Sequence, residues 1–173
     1  MIIDLRYNGG GEPGLIQLIS SYFFEKATHL NSIFWREGKR TVQYWTSSYV
    51  VGNKYLNKPV YLLTGKNTFS AAEDFTYSLQ VQKRATVIGE KTRGGANAGK
   101  TFQLTDHFEI FIPVGKAINP ISNKNWEGGI MPDISASFKE ALKMAHKQAL
   151  KYLIEKTDSP QKKKQLESAL SEL

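Results

Sequence analysis

The stretch TFSAAEDF, residues 68–75, sets a hydroxyl, Ser70, where a strand-like run gives way to a helix-like one. A serine there has two uses. It can cap the backbone donors of residues 72 and 73, with Glu73 completing a capping box three residues on. It can also attack a carbonyl, because the first amides of a helix lack partners and face an incoming oxyanion; the N–H of Ala71 would sit beside the attacked carbon. Local spacing leaves both uses open.

An oxyanion needs a second donor, and the turn NGGG, residues 8–11, offers amides with no side chains to obstruct a substrate. The same glycines would serve equally as a tight strand-helix turn. They form no phosphate loop, since both the GxGxxG spacing and a following Lys-Ser or Lys-Thr pair are missing. Asp4 and Arg6 beside them suit a structural ion pair better than catalysis.

A serine nucleophile also needs a base. His107 falls in a hairpin turn, His29 in a loop and His146 on the last long helix, and the three lack metal-ligand spacing. Lys91 and Lys100 bracket a glycine-rich loop, where a desolvated lysine could act as base and a solvated one would not. Glu127, in NWEGG, either orients a base or ends a loop. The chain has no cysteine, which removes disulfides, thiolate catalysis and cysteine-bound zinc together. Any nucleophile is therefore an oxygen, and no metal or other cofactor is expected.

These residues need a frame. At 173 residues with 40% hydrophobic content, the chain is the size of one ordinary domain with its own core. The net charge of +7 draws on lysines spread along the chain, many between Lys139 and Lys164; this reads as a solvated basic face rather than a nucleic-acid site. No apolar run reaches the roughly 20 residues that span a bilayer, and the start lacks the pattern of a signal peptide. Because Met1 to Leu5 is already strand-like, a fragment of a longer chain is expected.

Strand-like MIIDL, a glycine turn and a helical segment through Phe23 form a first unit. SIFWREGKRTVQYWTS reads as a hairpin around Glu37 and Gly38. KPVYLLTG is a buried strand, SAAEDFTYSLQVQ a helix and ATVIGE another buried strand. This alternation predicts a mostly parallel sheet covered by helices, an α/β fold. TFQLTD, HFEIFIP and GKAINP read as strands of a meander. Helical periodicity resumes at Phe138 and runs to about Lys156, and Ser159 with Pro160 opens a last short helix. Residues 1–157 are expected to form the core and 158–173 a helical appendage.

Taken in order, IIDLRYNGGG, LLTGKNTFSAAEDF, QKRATVIGEKTRGGAN and WEGGIMPDI resemble the C-terminal processing, or tail-specific, peptidases over about residues 1–135. In character they are nearest to the branch with the tricorn core protease and the interphotoreceptor retinoid-binding protein repeats. The resemblance implies a fold like that of Clp protease and crotonase. It implies Ser70 as nucleophile, with Ala71 and either Gly9 or Gly10 supplying the oxyanion amides. The processing-peptidase branch carries its catalytic lysine where this chain has Gly95, and Lys91 falls earlier. In the tricorn-like branch the base is a histidine from an upstream segment, assisted by a glutamate that Glu127 matches. The expectation is thus a serine endopeptidase domain, or part of one, acting through an acyl-enzyme on peptide or unfolded protein chains or their C-terminal tails. Its base would lie outside this chain. An extracytoplasmic location follows from the family alone, and assembly into an oligomer is left open. The alternative is a binding module for apolar ligands on the same fold, without catalysis.

Overall fold

The computed structural model covers residues 1–173. Its elements run β1 (Ile2–Asp4), α1 (Pro13–Ser21), β2 (His29–Trp35), β3 (Arg40–Trp45), β4 (Tyr61–Thr64), α2 (Ala71–Val81) and β5 (Thr86–Gly89). They continue with β6 (Gly99–Thr105), β7 (Phe108–Pro113), β8 (Gly115–Ile118), β9 (Ile134–Ser135), α3 (Ala141–Lys156) and α4 (Pro160–Ser171).

The centre is a four-stranded sheet in the order β1-β4-β5-β9, parallel throughout. Successive side chains of a strand face opposite sides, and β4 is buried on both. Its Leu62 packs with Leu30, Phe75 and Leu79 on the side of α1 and α2. Tyr61 and Leu63 pack with Ala141 and Ala145 of α3 on the other. This two-sided burial accounts for the unbroken apolar run VYLL. At the C-terminal end of β5, Gly89 has φ +136°, and a Cβ there would lie 2.2 Å from the Thr64 carbonyl oxygen, so only glycine lets β5 close against β4.

The predicted hairpin forms as β2 and β3, antiparallel and joined through a 3₁₀ turn at Glu37–Lys39. His29 starts β2 rather than lying in a loop. The meander does not form. β6 and β7 make an isolated two-stranded sheet, while β8 crosses over to pair antiparallel with β2. The physical reason is burial: Ala117 on β8 is 2% exposed and packs with Ala96 and Trp126, whereas every residue of β7 is exposed. Burial also trims the apolar stripe expected of α1, since Ile16 is buried while Leu15 and Leu18 are more than half exposed.

The last helix begins as its sequence indicates. Ser159 caps it, the side chain accepting from the Lys162 N–H, and Pro160 stands in the first turn. None of the helix's residues is buried, and it packs on α3. Removing residues 158–173 is therefore expected to shift the thermal midpoint by less than about 4 °C, equivalent to about 1 kcal/mol in a domain of this size. A collapse of the transition in calorimetry would show instead that α4 supports the core.

Candidate active site

Two loops leave the C-terminal ends of β1 and β4 and are stitched to each other. Thr68 Oγ1 donates to the Leu5 carbonyl at 2.8 Å and accepts from the Gly65 N–H at 3.0 Å, and the Phe69 N–H donates to the Asn8 carbonyl at 3.1 Å. The Asp4–Arg6 ion pair, 2.6 Å long, anchors the same corner, with the Arg6 guanidinium stacked on Phe138 at 4.6 Å. These bonds bring the glycine turn against Ser70. A Cβ on Gly10, whose φ is +107°, would stand 2.9 Å from Ser70 Cβ and 3.0 Å from the Ala71 nitrogen.

Ser70 itself occupies φ +53°, ψ −120°, a conformation that side-chain-bearing residues rarely adopt and that persists only where the surroundings impose it. It stands at the cap position of α2 and closes a capping box with Glu73, its side chain facing the Glu73 N–H. The Glu73 N–H also donates to the Ser70 carbonyl at 2.9 Å. In the other half of the box, Glu73 Oε2 accepts from the Ser70 N–H at 2.9 Å. Glu73 is fully buried, and its Oε1 accepts from Thr92 Oγ1 at 2.5 Å and the Gly94 N–H at 2.7 Å. Burial holds its carboxyl above the usual carboxylate range, against the opposing pull of those three donors.

The segment from Thr92 to Ala96 is thereby clamped over Ser70. Glu127 holds its other end, Oε2 accepting from the Ala96 N–H at 2.7 Å, while Trp126 Nε1 donates to the Gly95 carbonyl at 3.1 Å. Between these segments lies a cleft of about 660 Å³ whose walls include Ser70, Ala71, Gly11, Arg93 and Glu127. The structure thus gathers Ser70, Ala71 and Glu127 around one space, with Gly10 packed behind. The Ala71 N–H makes no backbone hydrogen bond, whereas the Gly10 N–H donates to Asn8 Oδ1 at 2.9 Å. Gly10 would have to exchange that partner to hold an oxyanion; Gly9 N–H has none to exchange.

No lysine or histidine lines the cleft. Lys91 runs alongside Gly129 and borders a separate depression with Met131 and Glu140. Lys100 pairs with Glu37 at 2.9 Å. His29 is stacked on Trp45, ring centroids 4.5 Å apart, with Nε2 3.0 Å from the Asn31 carbonyl and from Ser32 Oγ. At Gly95, where the resemblance aligns a lysine, an added Cβ would meet the Phe69 ring at 2.1 Å. The ring fills the place a side chain would need.

One cleft residue escaped the sequence reading. Asp74, 7% exposed, lines the same space one helical turn beyond Ser70, and the i, i+4 spacing within SAAED was its only signal. Asn31 Nδ2 donates to its Oδ2, and Ser78 Oγ donates to its Oδ1 at 3.2 Å. Burial pushes its carboxyl up to about 6, from an ordinary 3.8, against those two bonds. The folded state therefore favours the protonated form: this contribution to stability is complete below about pH 4 and fades as the pH rises through about 6. In denaturant titrations, the native chain should lose about 3 kcal/mol between acid and neutral pH relative to Asp74→Asn, from a shift of about two units. Parallel pH curves for the two proteins would rule this out.

The chain resembles known proteins in sequence and in fold. The family model described as peptidase family S41 matches residues 1–136. A carboxyl-terminal-processing protease of Synechocystis sp. is 33% identical over 135 residues, covering 76% of this chain and 30% of that protein. Its counterpart in Picosynechococcus sp. is 30% identical over 135 residues, with the same shares. The solved photosystem II D1 C-terminal processing protease superposes with a TM-score of 0.63 at 23% identity, over 79% of this chain and 34% of that one. The chain spans less than a third of the length of these curated relatives. Its helices on a mostly parallel sheet are of the Clp protease and crotonase type. With 136 of its 173 residues matched, the chain belongs to peptidase family S41.

Proposed function

We propose that this chain carries the nucleophile side of a serine peptidase site that cleaves peptide chains or their C-terminal tails. The observation that carries the reading is the setting of Ser70: a backbone at φ +53° at the start of a buried helix, on the cleft wall beside the Ala71 N–H, which makes no backbone hydrogen bond. Ser70 Oγ attacks the scissile carbonyl carbon, and its proton passes to a base. The resulting oxyanion takes the Ala71 N–H and an amide of Gly9 or Gly10, the amine leaves with a proton, and water releases the acyl group. Glu127 fixes the Arg93–Ala96 wall through Ala96 and faces the space where a base would enter.

With no lysine or histidine in the cleft, the base is supplied by a group outside these 173 residues. The substrate is a peptide or unfolded protein, consistent with what the relatives' names state of them. A location outside the cytoplasm belongs to this reading on family resemblance; no helix is long and apolar enough to cross a membrane.

The test is covalent labelling with a fluorophosphonate, with and without exogenous imidazole as a substitute base. Labelling is expected to be slow alone, to rise roughly 10²-fold with imidazole as base assistance is restored, and to vanish in Ser70→Ala. Gly10→Ala should slow it by about 10²-fold, since the new methyl collides with Ser70 and disturbs the oxyanion amides. Imidazole-assisted labelling that persists in Ser70→Ala would discard Ser70 as nucleophile. Rapid labelling without imidazole would place the base within the chain.

A further inference from the structure

Asp74 is a buried carboxylate that opens on the Ser70 cleft and has no cation of its own. Neither ion pair of the chain includes it, and its only side-chain partners are the neutral Asn31 and Ser78. Other titratable or charged groups on the elements that hold it or line the cleft are Glu73 beside it on α2, His29 on β2, and Arg93 and Glu127 on the cleft wall. Arg93 lies over the Phe69 ring at 4.7 Å, and His29 is held by Trp45 and Ser32. The apolar side chains of Ile16, Ile33, Phe111 and Ala117 form part of the cleft wall.

A carboxylate desolvated in such a place is costly unless a positive group completes it. Each oxygen accepts one bond from the protein, and an ionised carboxylate has room for more. The cleft is its open side, and a volume of about 660 Å³ is within the range of small-molecule and side-chain sites. We propose that Asp74 makes this cleft selective for a cationic group of the substrate, the ammonium or guanidinium of a lysine or arginine side chain held near the scissile bond. The apolar wall takes the aliphatic stem, and Asp74 takes the charged end. Asn31, fully buried on β2, positions Asp74 for this and does not itself reach the cleft.

The proposal rests on reading the cleft as a peptide site, but its test does not require cleavage. Peptides differing only in lysine against norleucine, at each position in turn, are titrated by fluorescence anisotropy into the 173-residue chain carrying Ser70→Ala. At one position lysine is expected to bind roughly ten- to a hundredfold more tightly at neutral pH, the range of a charge-assisted hydrogen bond, and Asp74→Asn should bring the ratio to about one. A preference that survives Asp74→Asn overturns the proposal, as does equal binding of every pair. Should Asp74→Asn fail to fold, the intact chain decides through carbon-13 titration of the Asp74 carboxyl. Added n-butylammonium should draw its midpoint down from about 6, and a midpoint that does not move overturns the proposal. Failure of Ser70 labelling would remove the nucleophile while leaving the lysine preference measurable on its own.

Discussion

The buried carboxylate of Glu73 joins three segments that are far apart in sequence or in direction: the Ser70 corner, the helix α2 that carries it, and the loop through Thr92 and Gly94. Hydrogen bonds to a charged acceptor contribute roughly 1.5 to 3 kcal/mol each, and losing the acceptor leaves every donor unpaired as well. With Glu73 in place, the strained backbone of Ser70 is held through its own N–H. Ser70 itself lies on the cleft wall.

Glu73 is effective because the sheet fixes everything around it. Strands β1, β4 and β5 are parallel, so their loops emerge at one end and converge. Gly89 permits the close approach at the end of β4, and Thr68 and Phe69 lock the two loops to Leu5 and Asn8. The same packing makes α2 a helix buried nearly all round, with Glu73, Asp74, Thr76 and Ser78 inside. A surface helix would expose such residues. Here each polar group has a partner: Thr76 Oγ1 donates to the Ala72 carbonyl at 2.7 Å, and Asp74 is bonded by Asn31 and Ser78.

The parallel core was readable because β4 and β5 are apolar on both faces, and α2 and α4 announced their starts through Ser70 with Glu73 and Ser159 with Pro160. The place of β8 was not readable. Its sequence GKAI suits a strand, but its choice of β2 over β7 depends on Ala117 reaching Ala96 and Trp126, a contact between residues distant in sequence. Likewise the apolar stripe of α1 predicts a helix but not which of its residues the core covers; Ile16 is buried and Leu15 is not.

By itself the sequence determined the types and order of the groups: a serine before a helix, a glycine turn, an acidic residue three places on, and no cysteine. Those properties depend on local spacing and composition, which a chain carries whether folded or not. Tertiary structure decided which groups share a space. It brought Ser70, Ala71 and Glu127 to one cleft, sent Lys91 and Lys100 elsewhere, and filled the site beside Gly95 with the Phe69 ring. It also raised the Asp74 carboxyl to about 6, because desolvation is a property of the surrounding packed atoms and is absent from the open chain.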